Sequence, residues 1–176
     1  MNGIDDSVPP FRFKQYPVVA GLTIATVRGF LLNFGVYYAA REALGLPFAW
    51  SPAVAFLVRF NTIFGATIAV TKDLPDVEGD RLNDIETFTT RLGVKKVAAG
   101  ATAVLLLNYA GAVATAILSE PGAFRRAFMA GAHGALGLWL ARSFRQLEPD
   151  SIVSIKKFYK RIWDLFYIEY LMYPFI

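Results

Sequence analysis

Residues 50–81 read WSPAVAFLVRFNTIFGATIAVTKDLPDVEGDR. From Trp50 to Thr71 the run carries one charged side chain, Arg59, and its length suits a helix crossing about 30 Å of hydrocarbon. Directly after it come Asp73, Asp76 and Asp80, spaced i, i+3, i+7. At about 100° per residue, such a spacing puts three carboxylates within roughly 60° on one helical face. Pro75 fits if the helix starts just before it, with Asp73 at or near the cap; otherwise it kinks a helix that continues out of the span. Three carboxylates on one face repel one another and call for a counter-charge. A hard cation such as Mg²⁺, held by one or two carboxylates together with phosphate oxygens, supplies it. Lys72 and Arg81 flank the cluster and are placed to meet the same oxygens. The spacing is not that of a calcium-binding EF-hand loop.

The rest of the chain alternates in the same way. Of its 176 residues, 55% are hydrophobic and only 18% charged, against about 25% charged in an ordinary soluble domain, and the mean hydropathy is +0.41. Further apolar segments run from Pro17 to Ala40, Val97 to Leu118, Ala123 to Leu140 and Phe158 to Ile176, punctuated by Gly45-Leu46-Pro47, Glu120-Pro121-Gly122 and Glu148-Pro149-Asp150. The fold class expected is therefore all-α, a multi-span transmembrane helix bundle forming one domain over 1–176, with a long loop at 72–96. The opening MNGIDDSVPPFRFKQYP is acidic and then proline-rich, and reads as neither a signal peptide nor a transit sequence. Either the helices insert the chain themselves, or targeting information lies upstream.

Charge sets the orientation. Arg12, Lys14, Lys72, Arg81, Arg91, Lys95, Lys96, Arg142, Arg145, Lys156 and Lys157 fall in the first, third and fifth aqueous segments, whereas Arg41, Arg125 and Arg126 fall on the other side. The basic side, which bears the aspartates, is expected to face the cytoplasm or a plastid stroma. A net charge of +4 is too small and too scattered to argue for nucleic acid; it suits lipid headgroups or a diphosphate. With no cysteine and a single histidine, His133, thiol nucleophiles and His- or Cys-ligated metal sites are excluded.

Several polar residues lie inside apolar segments. Arg28 and Asn33 in the first segment are expected to line a polar cavity, because an arginine at a helix centre costs about 2.5–3.5 kcal/mol and must face protein, water or an anion. Arg59 is divided between such a role and a packing ion pair. Asp164 and Glu169 are expected to cap helices or pair with arginines of other helices, and His133, flanked by glycines and alanines, to be a satisfied packing histidine.

These residues resemble the UbiA-type membrane prenyltransferases, in their plastid homogentisate branch. The stretches that carry the likeness are TVRGFLLNFGVYYAAREALGLPF, KDLPDVEGDR followed by TRLGVKK, and RIWDLFYIEYLMYPF, with SVPPFRFK near the start. The wording KDLPDVEGDR is more similar to the solanesyl-transferring members than to the phytyl-transferring ones. The family has about nine transmembrane helices around a central cavity and two aspartate-rich motifs on one side. The resemblance makes Asp73, Asp76 and Asp80 the second motif and equates this chain with helices five to nine; the first motif has no counterpart. Beyond Arg81 the chain departs from the pattern at Leu82 and Ile85-Glu86-Thr87, where Glu86 adds a negative charge beside the site.

The resemblance implies Mg²⁺-dependent transfer of a long prenyl group, solanesyl favoured, from its diphosphate to homogentisate with loss of CO₂, in plastoquinone biosynthesis. Phytyl transfer in tocopherol biosynthesis is the alternative. It implies metal and diphosphate contacts at Asp73, Asp76 and Asp80, further diphosphate contacts at Lys72 and Arg81, and acceptor or diphosphate contacts at Arg28 and Asn33. The site implied is the chloroplast inner envelope or another plastid membrane. With half the metal site missing, a fragment active only with an N-terminal half is a rival reading, and a channel or transporter subunit a more distant one.

Overall fold

The computed structural model describes Thr23 and residues 25–176, without the side chains of Ala25 and Arg28. All regular elements among them are helical. A π-helical stretch, Ala25–Leu31, leads into α1 (Leu32–Ala43); then follow α2 (Pro52–Thr71), α3 (Val77–Leu82), α4 (Phe88–Leu92), α5 (Val94–Leu118), α6 (Arg126–Arg145) and α7 (Ile152–Met172), closed by a 3₁₀ turn at Tyr173–Phe175. Two of these, α2 and α5, are long and apolar enough to cross a membrane.

Cross-helix contacts fix how the long helices run. Arg59, early in α2, reaches Thr115, late in α5, and the Asn108 amide donates to the Phe60 carbonyl at 3.1 Å, so α2 and α5 are antiparallel. His133, early in α6, sits against Phe56 and Phe60 of early α2, with ring centroids 5.5 Å apart in each case. It also faces Glu169, late in α7. Direction therefore alternates, and the end of α2, the start of α5, the end of α6 and the start of α7 share one end of the bundle. Lys72, Arg142, Arg145, Lys156 and Lys157 gather there, as the charge pattern predicts.

Burial follows from side-chain size. Phe56, Phe60 and Phe64 repeat every four residues and stack into one buried column on α2, continued by Phe166 of α7 at 5.5 Å from Phe64. Opposite them, α5 presents Ala98, Ala112 and Ala116, fully buried, and α6 presents Gly137 against Tyr109. Small residues let helix backbones approach where lipid offers no hydrophobic drive between helices. At Gly29 the approach is closest, since any Cβ there would collide with the backbone of Thr62. Leu107, Leu118, Leu138 and Leu171 point outward and exposed, as lipid-facing side chains do.

Several boundaries differ from those read in the sequence. The first apolar segment stays helical to Ala43, beyond Ala40, and its part before Thr23 lies outside the described residues. α5 begins at Val94 rather than Val97, after Gly93 with φ 86°. α6 runs from Arg126 to Arg145 rather than over 123–140, ending on Arg142 and Arg145, which suit the negative end of the helix dipole. α7 starts at Ile152 rather than Phe158 because the Ser151 hydroxyl accepts the Ser154 N–H as a cap. It ends before Pro174, in a 3₁₀ turn. In each case hydropathy marks the greasy middle, and capping and charge set the ends.

Candidate functional site

The aspartate segment leaves α2 as a turn, not as a helix. Thr71, fully buried, closes α2 by donating its hydroxyl to the carbonyls of Thr67 and Ile68 at 2.9 and 3.2 Å. The Leu74 amide then bonds back to the Thr71 carbonyl at 3.1 Å. Helix resumes only at Val77, with Asp76 as its N-cap residue and Pro75 just ahead of it. The expectation of one continuous helical face starting before Pro75 is thus corrected. Asp73 sits in the turn, while Asp76 at the N-cap and Asp80 within α3 stand one turn apart, joined by the Asp80 amide to the Asp76 carbonyl at 2.8 Å. Proline disfavours the α conformation in the residue before it, which is why the helix does not pass through Leu74.

Two apolar side chains that sequence reasoning passed over hold this turn in place. Leu74 is fully buried and Val77 nearly so, and both belong to the main core. They alternate with Asp73, Asp76 and Glu78, so each apolar residue pins the chain while Asp76 and Glu78 face water and Asp73 is half-buried. The signal was visible, as apolar residues three apart inside an acidic run.

Electrostatically the three aspartates remain one group. Burial pushes the Asp73 carboxyl above the usual carboxylate range, and the charges of Asp80 and Asp76 push it the same way. Lys72, with its Nζ 3.8 Å from Asp73, offsets only part of this. The turn therefore carries more negative charge than its own cation balances. Among the described residues, however, no three His, Cys, Asp or Glu side chains are drawn together as a ready metal cage. The donors present are hard oxygens of the kind Mg²⁺ uses, and one or two carboxylates with phosphate oxygens suffice for that ion. The residues fit such a group without closing around it. Arg81 is exposed on α3. Glu86 is exposed too, with Arg91 at 4.0 Å, and the loop beside it is ordered by a Thr87–Thr90 capping box that opens α4.

Deeper in the bundle, Asn33 joins a polar seam. Its amide donates to the Gly29 carbonyl at 2.7 Å, and its side-chain oxygen accepts from Asn61 and Tyr170 at 3.5 and 3.4 Å. Tyr173 donates to Asn61 at 2.7 Å. The seam ties the first helix to α2 and α7. The Arg28 side chain lies outside the described residues. The acidic residues of α7 divide. Asp164 pairs along its own helix with Lys160 and Arg161 at 2.6 and 3.3 Å, and the Arg161 guanidinium also lies over Trp139, 4.1 Å from the ring centre. Glu169 meets His133 at 3.2 Å with both side chains fully buried, so its partner is a histidine and not the expected arginine. His133 is a buried packing histidine but only half satisfied: Nδ1 lies 2.7 Å from the Met129 carbonyl, while Nε2 makes no hydrogen bond among the described residues.

Residues 8–167 match the UbiA prenyltransferase family. The chain is 53% identical over 172 residues to a protein of Oryza sativa subsp. japonica described as probable homogentisate phytyltransferase 2, chloroplastic, covering 97% of this chain and 45% of that protein. It is 51% identical to the homogentisate solanesyltransferase, chloroplastic, of Arabidopsis thaliana, covering 97% and 44%. It is 38% identical to the homogentisate phytyltransferase of Synechocystis, covering 96% and 54%. The chain thus spans about half the length of the curated relatives it matches. No solved structure matches it. With the family matched over residues 8–167 and these identities extending over nearly the whole chain, the protein belongs to the UbiA prenyltransferase family, on the branch of the homogentisate phytyl- and solanesyltransferases.

Proposed function

We propose that this chain forms the second aspartate-motif portion, equivalent to helices five to nine, of a magnesium-dependent prenyltransferase that joins a prenyl diphosphate to homogentisate in a plastid membrane. The observation that carries the reading is the turn at residues 72–80, where carboxylates exceed the cations at the water end of an apolar bundle. Asp73, Asp76 and Asp80 are assigned to Mg²⁺ and diphosphate, and Lys72 and Arg81 to the diphosphate oxygens. Mg²⁺ bound there supplies charge to stabilise the departing diphosphate. Leu74 and Val77 keep the aspartates in register, and Asn33 helps place the aromatic acceptor or the diphosphate. The prenyl tail lies among the aromatic side chains of the bundle.

The donor is read only as a long prenyl diphosphate. The solanesyl preference taken from the motif wording gains no support from identities of 53% and 51% to the phytyl and solanesyl relatives, and phytyl stands at least equal. Because the chain covers 45% of the first of those proteins, a second reading follows, in which it acts only together with the remaining helices. Prenyl transfer to homogentisate, assayed with phytyl and solanesyl diphosphate, with Mg²⁺ or a chelator, separates these readings. The expected result is activity in an upstream-extended form and none in the 176-residue chain. Asp76→Asn in the extended form is expected to insert normally and lose transfer; wild-type turnover in that variant would refute the metal assignment.

A further inference from the structure

Arg59 is the one charged residue inside α2, and the structure leaves it with an unmet need. It is the eighth residue of the helix, so its Cα lies about 10 Å in from the Pro52 end. Its guanidinium donates to the Thr115 hydroxyl at 3.1 Å and lies 6.0 Å from the centre of the Phe56 ring. Thr115 is the fourth residue from the end of α5, only about 5 Å in from that helix's terminus. The side chain therefore reaches toward the end of the bundle opposite the aspartates.

Among the described residues, no carboxylate is within ion-pair distance of Arg59. Among those residues it does not form the packing ion pair that was one reading of this arginine. A guanidinium has five N–H donors, and Thr115 accepts one of them. The side chain is exposed on the surface of the bundle, so its remaining donors are open to an anion.

Two clefts meet at this side chain. One, of about 330 Å³, runs between the first helix and α2; it is lined by Phe30, Trp50, Val58 and Ile63 and is almost wholly apolar. The other lies toward α5 and is lined by Phe56, Phe124 and the hydroxyl-bearing Thr115 and Ser119. Trp50 stands at the mouth of the first, as interfacial tryptophans do. Arg126, at the start of α6, donates to the Ser119 carbonyl and adds a second cation at the same edge.

We infer that Arg59 and its flanking clefts form a structural phospholipid site, in which the guanidinium binds the phosphodiester of a membrane phospholipid and the Phe30–Trp50–Ile63 cleft takes one acyl chain. The fork of the guanidinium matches two phosphate oxygens, and charge-assisted bonds of this type gain strength where water is scarce. A free anion would leave the apolar cleft unused; an uncharged lipid would leave the cation unused. This site lies at the opposite end from the aspartate turn and is independent of the transfer reaction.

The test is lipid retention by the detergent-purified chain. Native mass spectrometry and thermal unfolding are run with phosphatidylglycerol, with monogalactosyl diacylglycerol of the same acyl chains, and with inorganic phosphate. The expected result is preferential retention of phosphatidylglycerol and a rise in Tm that neither other addition matches. Arg59→Gln is expected to weaken phosphatidylglycerol binding about tenfold or more, while Arg59→Lys keeps part of it and Lys96→Gln, on the basic end, leaves it unchanged. Equal retention of the galactolipid by the wild-type chain overturns the inference, whether or not the Gln variant folds. So does a Tm rise matched by inorganic phosphate, or unaltered binding in Arg59→Gln.

Discussion

Carboxylates occur in two settings in this bundle, and on the proposed function the contrast separates residues that serve chemistry from one that serves architecture. At the water end, Asp73, Asp76 and Asp80 crowd one turn with Lys72 as their near cation, and burial and mutual repulsion both raise the Asp73 carboxyl. In the core, Glu169 is fully enclosed and faces His133 at 3.2 Å, inside a shell of Phe56, Phe60 and Tyr109. Unbalanced charge invites a ligand; balanced charge holds helices together.

If that contrast is right, the largest loss of stability comes from the balanced pair. Glu169→Leu is expected to destabilise the chain by about 3 kcal/mol, because it strands a buried imidazole, and the double change with His133→Leu should recover much of it. Glu169→Gln, which can donate to the ring, should cost far less. Unfolding in detergent measures all three, and an Leu variant as stable as wild type breaks the comparison. Next comes Leu74→Ala, expected to cost about 2–3 kcal/mol by opening a cavity under the turn. In an active extended form it should also raise the Mg²⁺ requirement, since the aspartates lose their anchor; titration of activity with Mg²⁺ reads this out.

Smaller still, and opposite in sign, is Asp73→Asn. The carboxyl is held above its ordinary range, so its ionised form is a net cost to the fold, one that appears as pH rises above the normal carboxylate value of 3.8. Removing that charge should raise Tm slightly near neutral pH in chelator, with little change at acid pH. A fall in Tm at neutral pH would contradict the crowding. The least effect is expected of Glu86→Gln, exposed and paired only loosely with Arg91, within about 0.5 kcal/mol on unfolding. A larger change would mean that the departure from the family pattern there has structural weight.

The sequence displays this contrast unevenly. The apolar runs of α2 and α5 and the acidic segment after Thr71 were legible, because hydropathy and charge report which solvent a segment meets. The break of helix across Leu74-Pro75 was only half legible, since Pro75 permits either a start or a kink and tertiary burial of Leu74 decides between them. The Glu169–His133 pair was hidden, as no periodicity within one helix shows which residue of another will face it. The Asn33–Asn61–Tyr173 seam was hidden for the same reason; its members lie in three separate segments, tens of residues apart.

One contact fixes more than packing. A carbonyl only accepts, so the 2.7 Å contact between His133 Nδ1 and the Met129 oxygen places a hydrogen on Nδ1. The opposite nitrogen then faces a Glu169 carboxylate oxygen at 3.2 Å, with both side chains fully buried. The ring is thus held by its own helix on one side and turned toward α7 on the other, so a rotation of α6 about its axis would uncouple the two helices at this one side chain.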